Sequence, residues 1–244
     1  MFTQTTAFYD RLYAFKDYRA EVEWLLPVIR QRLRTSGNRL LDVACGTGQH
    51  LQYLKPYFQV SGLDLSMEMV TLARQRVPEG QFYVADMVDF ALHQCFDVIT
   101  CLFSSIGYVR SPERLEQAIV SMAQHLKKGG VLLIEPWFEP AAWRPGTVHA
   151  LLVDDPELKI ARVSTSFQSD RISYFDFHYL IGTPQGTEHR VERHELGLFE
   201  TEELLDAMRK AGLEAFFDPQ GPSGRGLCIG EQNRFSCAFD LEPL

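Results

Sequence analysis

Residues 40–135 predict an α/β fold built on a doubly wound, mostly parallel sheet, and residues 149–199 predict an antiparallel β excursion inserted after its fifth strand. Short apolar runs at 40–44, 59–64, 81–85, 96–103 and 131–135 alternate with segments of helical spacing. Such alternation joins parallel strands through crossover helices. The fourth run is mostly apolar, as a strand covered on both faces must be. Beyond residue 149 the helical spacing gives way to alternating runs separated by polar turns.

Taken in order, Val22, Leu25, Leu26, Ile29 and Leu33 give a helix over 20–34, with Pro27 placed to kink it or delay its start. An aromatic-rich segment precedes it: Phe8, Tyr9, Tyr13, Phe15 and Tyr18. Strand one runs into Gly46-Thr47-Gly48, and a helix starts at Gln49. Strand two is followed by a helix over 66–76 with Ser66 as its N-cap. Pro112 opens a helix reaching about residue 126, which Lys127-Lys128-Gly129-Gly130 terminates. In the excursion, 160–167, 172–181 and 190–198 are the clearest strands, with a turn at Thr183-Pro184-Gln185-Gly186. A helix over 201–211, capped by Thr201 and stopped by Gly212, leads to strands at 213–218 and 226–230, joined through Gly221-Pro222-Ser223-Gly224-Arg225. The expected organisation is a set of N-terminal cap helices (1–39), a ligand-binding core (40–139 plus 200–231) and an auxiliary antiparallel region (140–199).

The 244 residues suffice for one large core or one domain with an insertion. A net charge of −8 disfavours a nucleic-acid partner but not a small anionic substrate held by a local arginine. Cys45, Cys95, Cys101, Cys228 and Cys237 are scattered and odd in number, without a C-x-x-C pair. That argues against a disulfide framework and for a reducing, cytoplasmic setting. The first ten residues lack the basic and apolar regions of a signal peptide, and no apolar run is long enough to span a membrane.

Chemistry concentrates at the carboxyl ends of the strands. A glycine turn between strand and helix lets backbone approach a ligand closely. The second strand ends in Asp64, a carboxylate able to accept from both hydroxyls of a ribose. A nicotinamide site requires G-x-G-x-x-G, but after Gly46 and Gly48 the third position is Leu51. S-adenosylmethionine fits better, since it carries a nucleoside and a methionine tail but no phosphate. Asp86 after strand three can accept from its adenine amino group, with Leu65 and Met87 against the ring faces.

Asp42-x-x-Cys45-Gly46-Thr47-Gly48, Asp64-Leu65-Ser66, Ala85-Asp86-Met87 and Phe96-Asp97-Val98 resemble the successive motifs of the Rossmann-like class I methyltransferases. Further segments resemble the bacterial N,N-dimethyltransferases of dTDP-3-amino-deoxysugars, which make the dimethylamino sugars of macrolides. These are Cys101-Leu102-Phe103-Ser104-Ser105-Ile106-Gly107, Glu135-Pro136-Trp137, Phe177-His178-Tyr179-Leu180 and Gly221-Pro222-Ser223-Gly224-Arg225-Gly226-Leu227.

The resemblance implies an S-adenosylmethionine-dependent N-methyltransferase whose aromatic N-terminal segment closes over the cofactor. Gly46 and Gly48 would admit the methionyl tail, and Tyr18, Asp42, Ala44 and Leu102 complete the expected cofactor seat. Tyr9, Tyr13 and Tyr108 are the catalytic candidates, as hydroxyls that orient an amine. Relatives with histidine at the Tyr108 position would have a base there; here proton loss to water or along a tyrosine-bridged path is expected instead. Ser104, Trp137, His178, Ser223 and Arg225 are the substrate candidates, Ser223 and Arg225 for a diphosphate. His178, between two aromatics, also suits a packed core position. No metal site is expected: His189 and His194 read as members of a solvated strand with Glu188, Glu192 and Glu195. The expected partner is a small molecule, with no nucleic acid and no membrane, and a homodimer is compatible with the chain. A glycine-like amine or a carboxylate as acceptor, or a non-catalytic cofactor-binding protein, are the rival readings.

Overall fold

A computed structural model describes residues 5–235 and 237–239. After a 3-10 turn, the short helix α1 (Tyr9–Leu12) and the longer α2 (Tyr18–Arg32) lead into β1 (Arg39–Val43), α3 (Gln49–Leu54), β2 (Gln59–Asp64), α4 (Met67–Arg76), β3 (Gln81–Val84), β4 (Phe96–Cys101), α5 (Pro112–Gln124) and β5 (Leu126–Ile134). Four long strands follow, β6 (Val148–Asp155), β7 (Leu158–Ser169), β8 (Ile172–Thr183) and β9 (Gly186–Gly197), then α6 (Thr201–Lys210), β10 (Glu214–Asp218) and β11 (Leu227–Glu231).

The main sheet has seven strands in the order β10-β11-β5-β4-β1-β2-β3, parallel from β5 to β3, with β11 and β10 added antiparallel. Its order reverses between β1 and β4, and ligands of doubly wound sheets bind at such a switch point, beyond the carboxyl ends of the strands. One face buries Phe96, Ile99 and Leu132 beneath Ile119 and Met122 of α5 and Leu204 and Met208 of α6. The other buries Leu40, Val60 and Val98 beneath Leu25 and Ile29 of α2, Leu51 of α3 and Val70 of α4. Each such side chain contributes about 1.5–3 kcal/mol on leaving water. The excursion forms a separate antiparallel sheet, β6-β7-β8-β9. Its inner face packs Ile160, Phe177, Tyr179 and Ile181 against Leu12 of the N-terminal segment.

Several expectations are corrected. Helix α2 starts at Tyr18 with the Asp17 carboxylate as its cap, and it continues through Pro27. Lys127-Lys128-Gly129-Gly130 lies within β5 and does not end the preceding helix, which stops at Gln124. The Gly129 carbonyl accepts from the Arg34 amide at 2.8 Å, a tertiary contact that draws this polar stretch into the strand. Helix α6 is capped by Glu200 in a capping box with Glu203, while the Thr201 hydroxyl donates to Glu139 at 2.6 Å. Cys95 and Cys237 are joined in a disulfide, against the expectation of none; their 142-residue separation gave no local sign of it. Among the described residues no helix is long and apolar enough to cross a membrane.

Candidate active site

The parallel strands end at a cavity of about 1100 Å³, roofed by the N-terminal segment and by the inner face of the four-stranded sheet. One part is lined by Ala44, Gly46, Asp64, Leu65, Asp86 and Met87, which local sequence brings to the ends of β1, β2 and β3. Gly46 adopts φ +54°, and a Cβ built on it would stand in open space. Its hydrogen atom keeps that side of the loop free for a ligand. Gly48 (φ +78°) opens α3 but lines neither cavity; a Cβ there would press on Ala73 at 3.2 Å, so this glycine serves the close packing of the turn on α4.

Asp64 is 8 % exposed. One carboxylate oxygen accepts from the Gly46 amide and the other from the Ser66 amide, both at 2.9 Å. Burial pushes its carboxyl above the ordinary aspartate range, against the pull of these amide bonds. Each oxygen retains a lone pair, which is what a pair of ribose hydroxyls requires. Asp86 is held by the Val88 amide at 3.1 Å and by Arg114 at 3.0 Å. A second cavity of about 30 Å³ lies behind the glycine turn, lined by Tyr18, Asp42, Cys45, Thr47, His50 and Leu102. Tyr9, Ala44, Gly46, Phe103 and Ser105 line both spaces. Asp42 is fully buried and accepts from the Thr100 hydroxyl at 2.7 Å. Burial raises its carboxyl to about 6.

The N-terminal segment is fastened over these residues. The Asp10 carboxylate accepts from Thr47 at 2.7 Å and Gln49 at 3.0 Å and pairs with Arg76. Glu21, on α2, pairs with Lys16 and sits 2.8 Å from His50. Tyr9 and Tyr13 meet at a tilt of 44° with ring centroids 4.8 Å apart, and Tyr13 meets Phe103 edge-on at 5.3 Å. Burial raises the pKa of Tyr9, Tyr13 and Tyr108, which keeps all three hydroxyls protonated.

Beyond β4 the backbone turns sharply: Phe103 (φ +53°) and Ser104 (φ +59°) are both left-handed. Two such residues in succession cost of order 1–3 kcal/mol each and persist only where neighbours hold them. Here the Phe103 amide donates to buried Glu135 at 2.7 Å, and the Ser104 hydroxyl donates to the Pro136 carbonyl at 2.7 Å. This turn carries Tyr108 into the cavity.

Elsewhere in the cavity wall, Arg225 donates to Ser104 at 3.1 Å, lies 3.5 Å from Glu135 and sits over the Trp137 and Phe138 rings. Trp137 is fixed by its indole N–H on Ser173 at 2.9 Å. Arg162 reaches in from β7, over Phe177 and against the Tyr13 hydroxyl at 3.3 Å. Three substrate candidates line neither cavity: Ser104, buried with its hydroxyl on the Pro136 carbonyl and Arg225, then Ser223 and His178. Ser223 donates to Glu135 and anchors its own loop. His178 is exposed on the outer face of the small sheet, 3.3 Å from His189, because strand alternation turns it away from inward-facing Phe177 and Tyr179.

The expectation that Glu192 and His194 belong to a solvated strand is overturned. Both are buried, and Tyr108 and His194 meet, hydroxyl to Nδ1, at 2.7 Å. Alternation counted back from Leu196 places 194 and 192 on its inward face, a signal that the charge-rich composition of the strand concealed. Arg162, likewise missed, lies between inward Ile160 and the strand's polar residues. Among the described residues no three His, Cys, Asp or Glu side chains gather as metal ligands would.

A seven-stranded class I sheet with acidic residues closing β2 and β3 around an open glycine turn defines an S-adenosylmethionine-dependent methyltransferase. Comparison with known proteins agrees: residues 40–130 match the family model described as a methyltransferase domain. The chain is 40% identical over 217 residues to the dTDP-3-amino-3,6-dideoxy-alpha-D-glucopyranose N,N-dimethyltransferase of Streptomyces fradiae, covering 88% of this chain and 85% of the relative. It is 38% identical to the dTDP-3-amino-3,4,6-trideoxy-alpha-D-glucopyranose N,N-dimethyltransferase of Streptomyces venezuelae, covering 88% of this chain and 91% of that one. The crystal structure of Streptomyces venezuelae DesVI superposes with a TM-score of 0.87 at 36% identity, over 95% of this chain and 99% of that one. SAM-bound CalS10, an amino pentose methyltransferase from Micromonospora echinaspora, gives a TM-score of 0.83 at 33% identity, over 95% and 98%. The chain therefore belongs to the family of the dTDP-aminosugar N,N-dimethyltransferases.

Proposed function

We propose that this enzyme methylates the amino group of a dTDP-linked deoxysugar, at the sugar's 3-position. The observation that carries the reading is the extension of the cavity past the cofactor residues to Arg225, Trp137 and Arg162 under the small sheet, in a chain whose relatives act on such sugars. In this reading Asp64 takes the ribose hydroxyls, Asp86 the adenine amino group, and Leu65 and Met87 the ring faces. Gly46 gives the methionyl tail room, while Gly48 shapes the turn; Tyr18, Asp42, Ala44 and Leu102 surround the tail. Residues 40–139 with 200–231 then hold the cofactor, 140–199 cover the acceptor, and 1–39 close the site. We place the enzyme in the cytoplasm, free of nucleic acid.

The cofactor, when bound, supplies an electrophilic methyl group on sulfonium sulfur, so the chain's remaining tasks are to orient the acceptor and exclude water. Tyr9 and Tyr13, half-buried and protonated, line the cavity with hydroxyls that can orient the acceptor. The Arg225 guanidinium, bonded to Ser104 and lying over the Trp137 ring, offers a fixed cation to a diphosphate.

The test is incubation of the protein with S-adenosylmethionine and dTDP-3-amino- or dTDP-4-amino-deoxysugars, followed by mass spectrometry. Addition of one or two methyl groups to the 3-amino sugar is the expected result. Methylation of a glycine-like amine or a carboxylate instead, or cofactor binding without turnover, overturns it. Arg225→Ala should raise KM for the nucleotide sugar strongly while leaving cofactor affinity nearly unchanged.

A further inference from the structure

His194 is a fully buried histidine whose ring lines the large cavity. It stands on β9 with its ring stacked on Phe175 and tilted against Phe177. Its Nδ1 lies 2.7 Å from the Tyr108 hydroxyl, and its Nε2 lies 3.9 Å from a carboxylate oxygen of Glu192. Glu192 is itself buried and accepts from the Thr5 hydroxyl at 2.5 Å. Tyr108, His194 and Glu192 thus form a line running from the cavity wall into the small sheet.

The protons in this line can be assigned. A carboxylate on the Nε2 side favours the tautomer with its hydrogen on Nε2. Nδ1 is then an acceptor, and the Tyr108 hydroxyl must be its donor. With its only hydrogen committed to His194, the Tyr108 oxygen offers just its lone pairs to the cavity. An acceptor amine brings N–H groups, so an acceptor oxygen is the complement it needs.

We propose that His194 is a positioning residue for methyl transfer: through Tyr108 it aims an acceptor lone pair at the substrate amine and receives the proton that the amine must lose. This rests on the aminosugar reading above. An alkylammonium has no lone pair for attack. In the step proposed, one N–H bond of the bound ammonium breaks and its proton joins the Tyr108 oxygen, while the Tyr108 hydroxyl proton passes to Nδ1. The products are a neutral amine, an unchanged tyrosine and a His194 imidazolium facing the Glu192 carboxylate; the imidazolium later yields its proton to solvent. The titratable and charged groups around the pair are Glu192 on β9, Arg162 on β7, Tyr179 on β8, Tyr13 in the N-terminal segment and Asp64 at the end of β2. Burial holds the His194 pKa below its ordinary value, with Glu192 opposing, so the resting imidazole is the neutral form that can accept a proton. The sequence at position 108 therefore carries a tyrosine without forfeiting a histidine: the imidazole is delivered from a strand 86 residues further on.

The experiment is the pH profile of kcat/KM for the aminosugar in the wild type, His194→Phe, His194→Gln and Tyr108→Phe. Melting temperature and calorimetric S-adenosylmethionine affinity serve to show that each variant is folded. The wild type should keep its activity below the pKa of the free amine. His194→Phe and Tyr108→Phe should lose about 10- to 100-fold at neutral pH and recover as pH rises toward that pKa. His194→Gln, which can accept from Tyr108 but cannot take its proton, should restore KM and leave the acid-side loss in kcat. A double variant should be no worse than either single one. Variants that fold, bind cofactor and show the wild-type profile, or one lowered evenly at every pH, overturn the inference while the aminosugar reading stands. A wild type that methylates no amine removes both.

Discussion

Asp64 and Asp42 illustrate how one residue type serves two purposes through its surroundings. Asp64 keeps a lone pair on each oxygen for a ligand while its amide bonds shape the glycine turn. Asp64→Ala removes two charge-assisted bonds worth about 1.5–3 kcal/mol each. Calorimetry should therefore find S-adenosylmethionine affinity at least roughly tenfold weaker, and an unchanged Kd defeats the assignment. Asp42 is more deeply enclosed, and burial lifts its carboxyl from 3.8 to about 6. A folded-state pKa above the unfolded value means that the folded protein binds this proton more tightly. The advantage is complete below the unfolded pKa and disappears as pH rises through about 6, where the buried carboxylate costs the ligand-free protein about 3 kcal/mol. Asp42→Asn should then raise the urea-unfolding free energy at pH 7 by up to that amount and change it little near pH 4. The same substitution should weaken binding of the cationic cofactor. Equal stability gains at both pH values would count against a buried carboxylate as the cause.

The N-terminal segment is an element that the chain can barely hold alone. Helix α1 has four residues, well below the length at which a helix persists in water. Its place is set by Asp10, bridging to Thr47, Gln49 and Arg76, and by Leu12 under the small sheet. Asp10→Ala should therefore loosen the segment without unfolding the core. Amide exchange across residues 5–17 should accelerate, and cofactor dissociation should speed up with it. Protection that stays as in the wild type would assign closure to the apolar contacts instead. Strand β9 shows the reverse case. Its polar sequence describes an exposed edge, yet Glu192 and His194 turn inward because a strand's period of two outranks its composition.

At the scale of the whole molecule, two sheets divide the labour. The parallel sheet gathers Asp64 and Asp86, the carboxylates we propose read the nucleoside, and the antiparallel sheet supplies the aromatic and basic wall across from them. The disulfide ties the loop before β4 to the C-terminal region across 142 residues. Closing a loop of that length restricts the unfolded chain by about 5 kcal/mol in the entropic picture. Denaturation without reductant should expose three reactive thiols, those of Cys45, Cys101 and Cys228, and a count of five would show the bond to be absent. Disulfides are rare in a reducing cytoplasm, so the thiol count on protein prepared under both redox conditions also tests the cytoplasmic location proposed above.

The amino-acid order by itself determined the alternating core, the glycine turn with Asp64 and Asp86, and the acceptor-side motifs, because each is written in neighbouring residues whose spacing matches a helix, a strand or a turn. Boundaries at Lys127-Lys128-Gly129-Gly130 and at Glu200 escaped it, since tertiary hydrogen bonds decided them. Only the folded structure joined Tyr108 to His194, turned His178 outward, gave Ser223 to Glu135 and paired Cys95 with Cys237. The reason is physical: contacts between residues far apart in the chain depend on how whole layers pack, and local periodicity carries no record of which layer faces which.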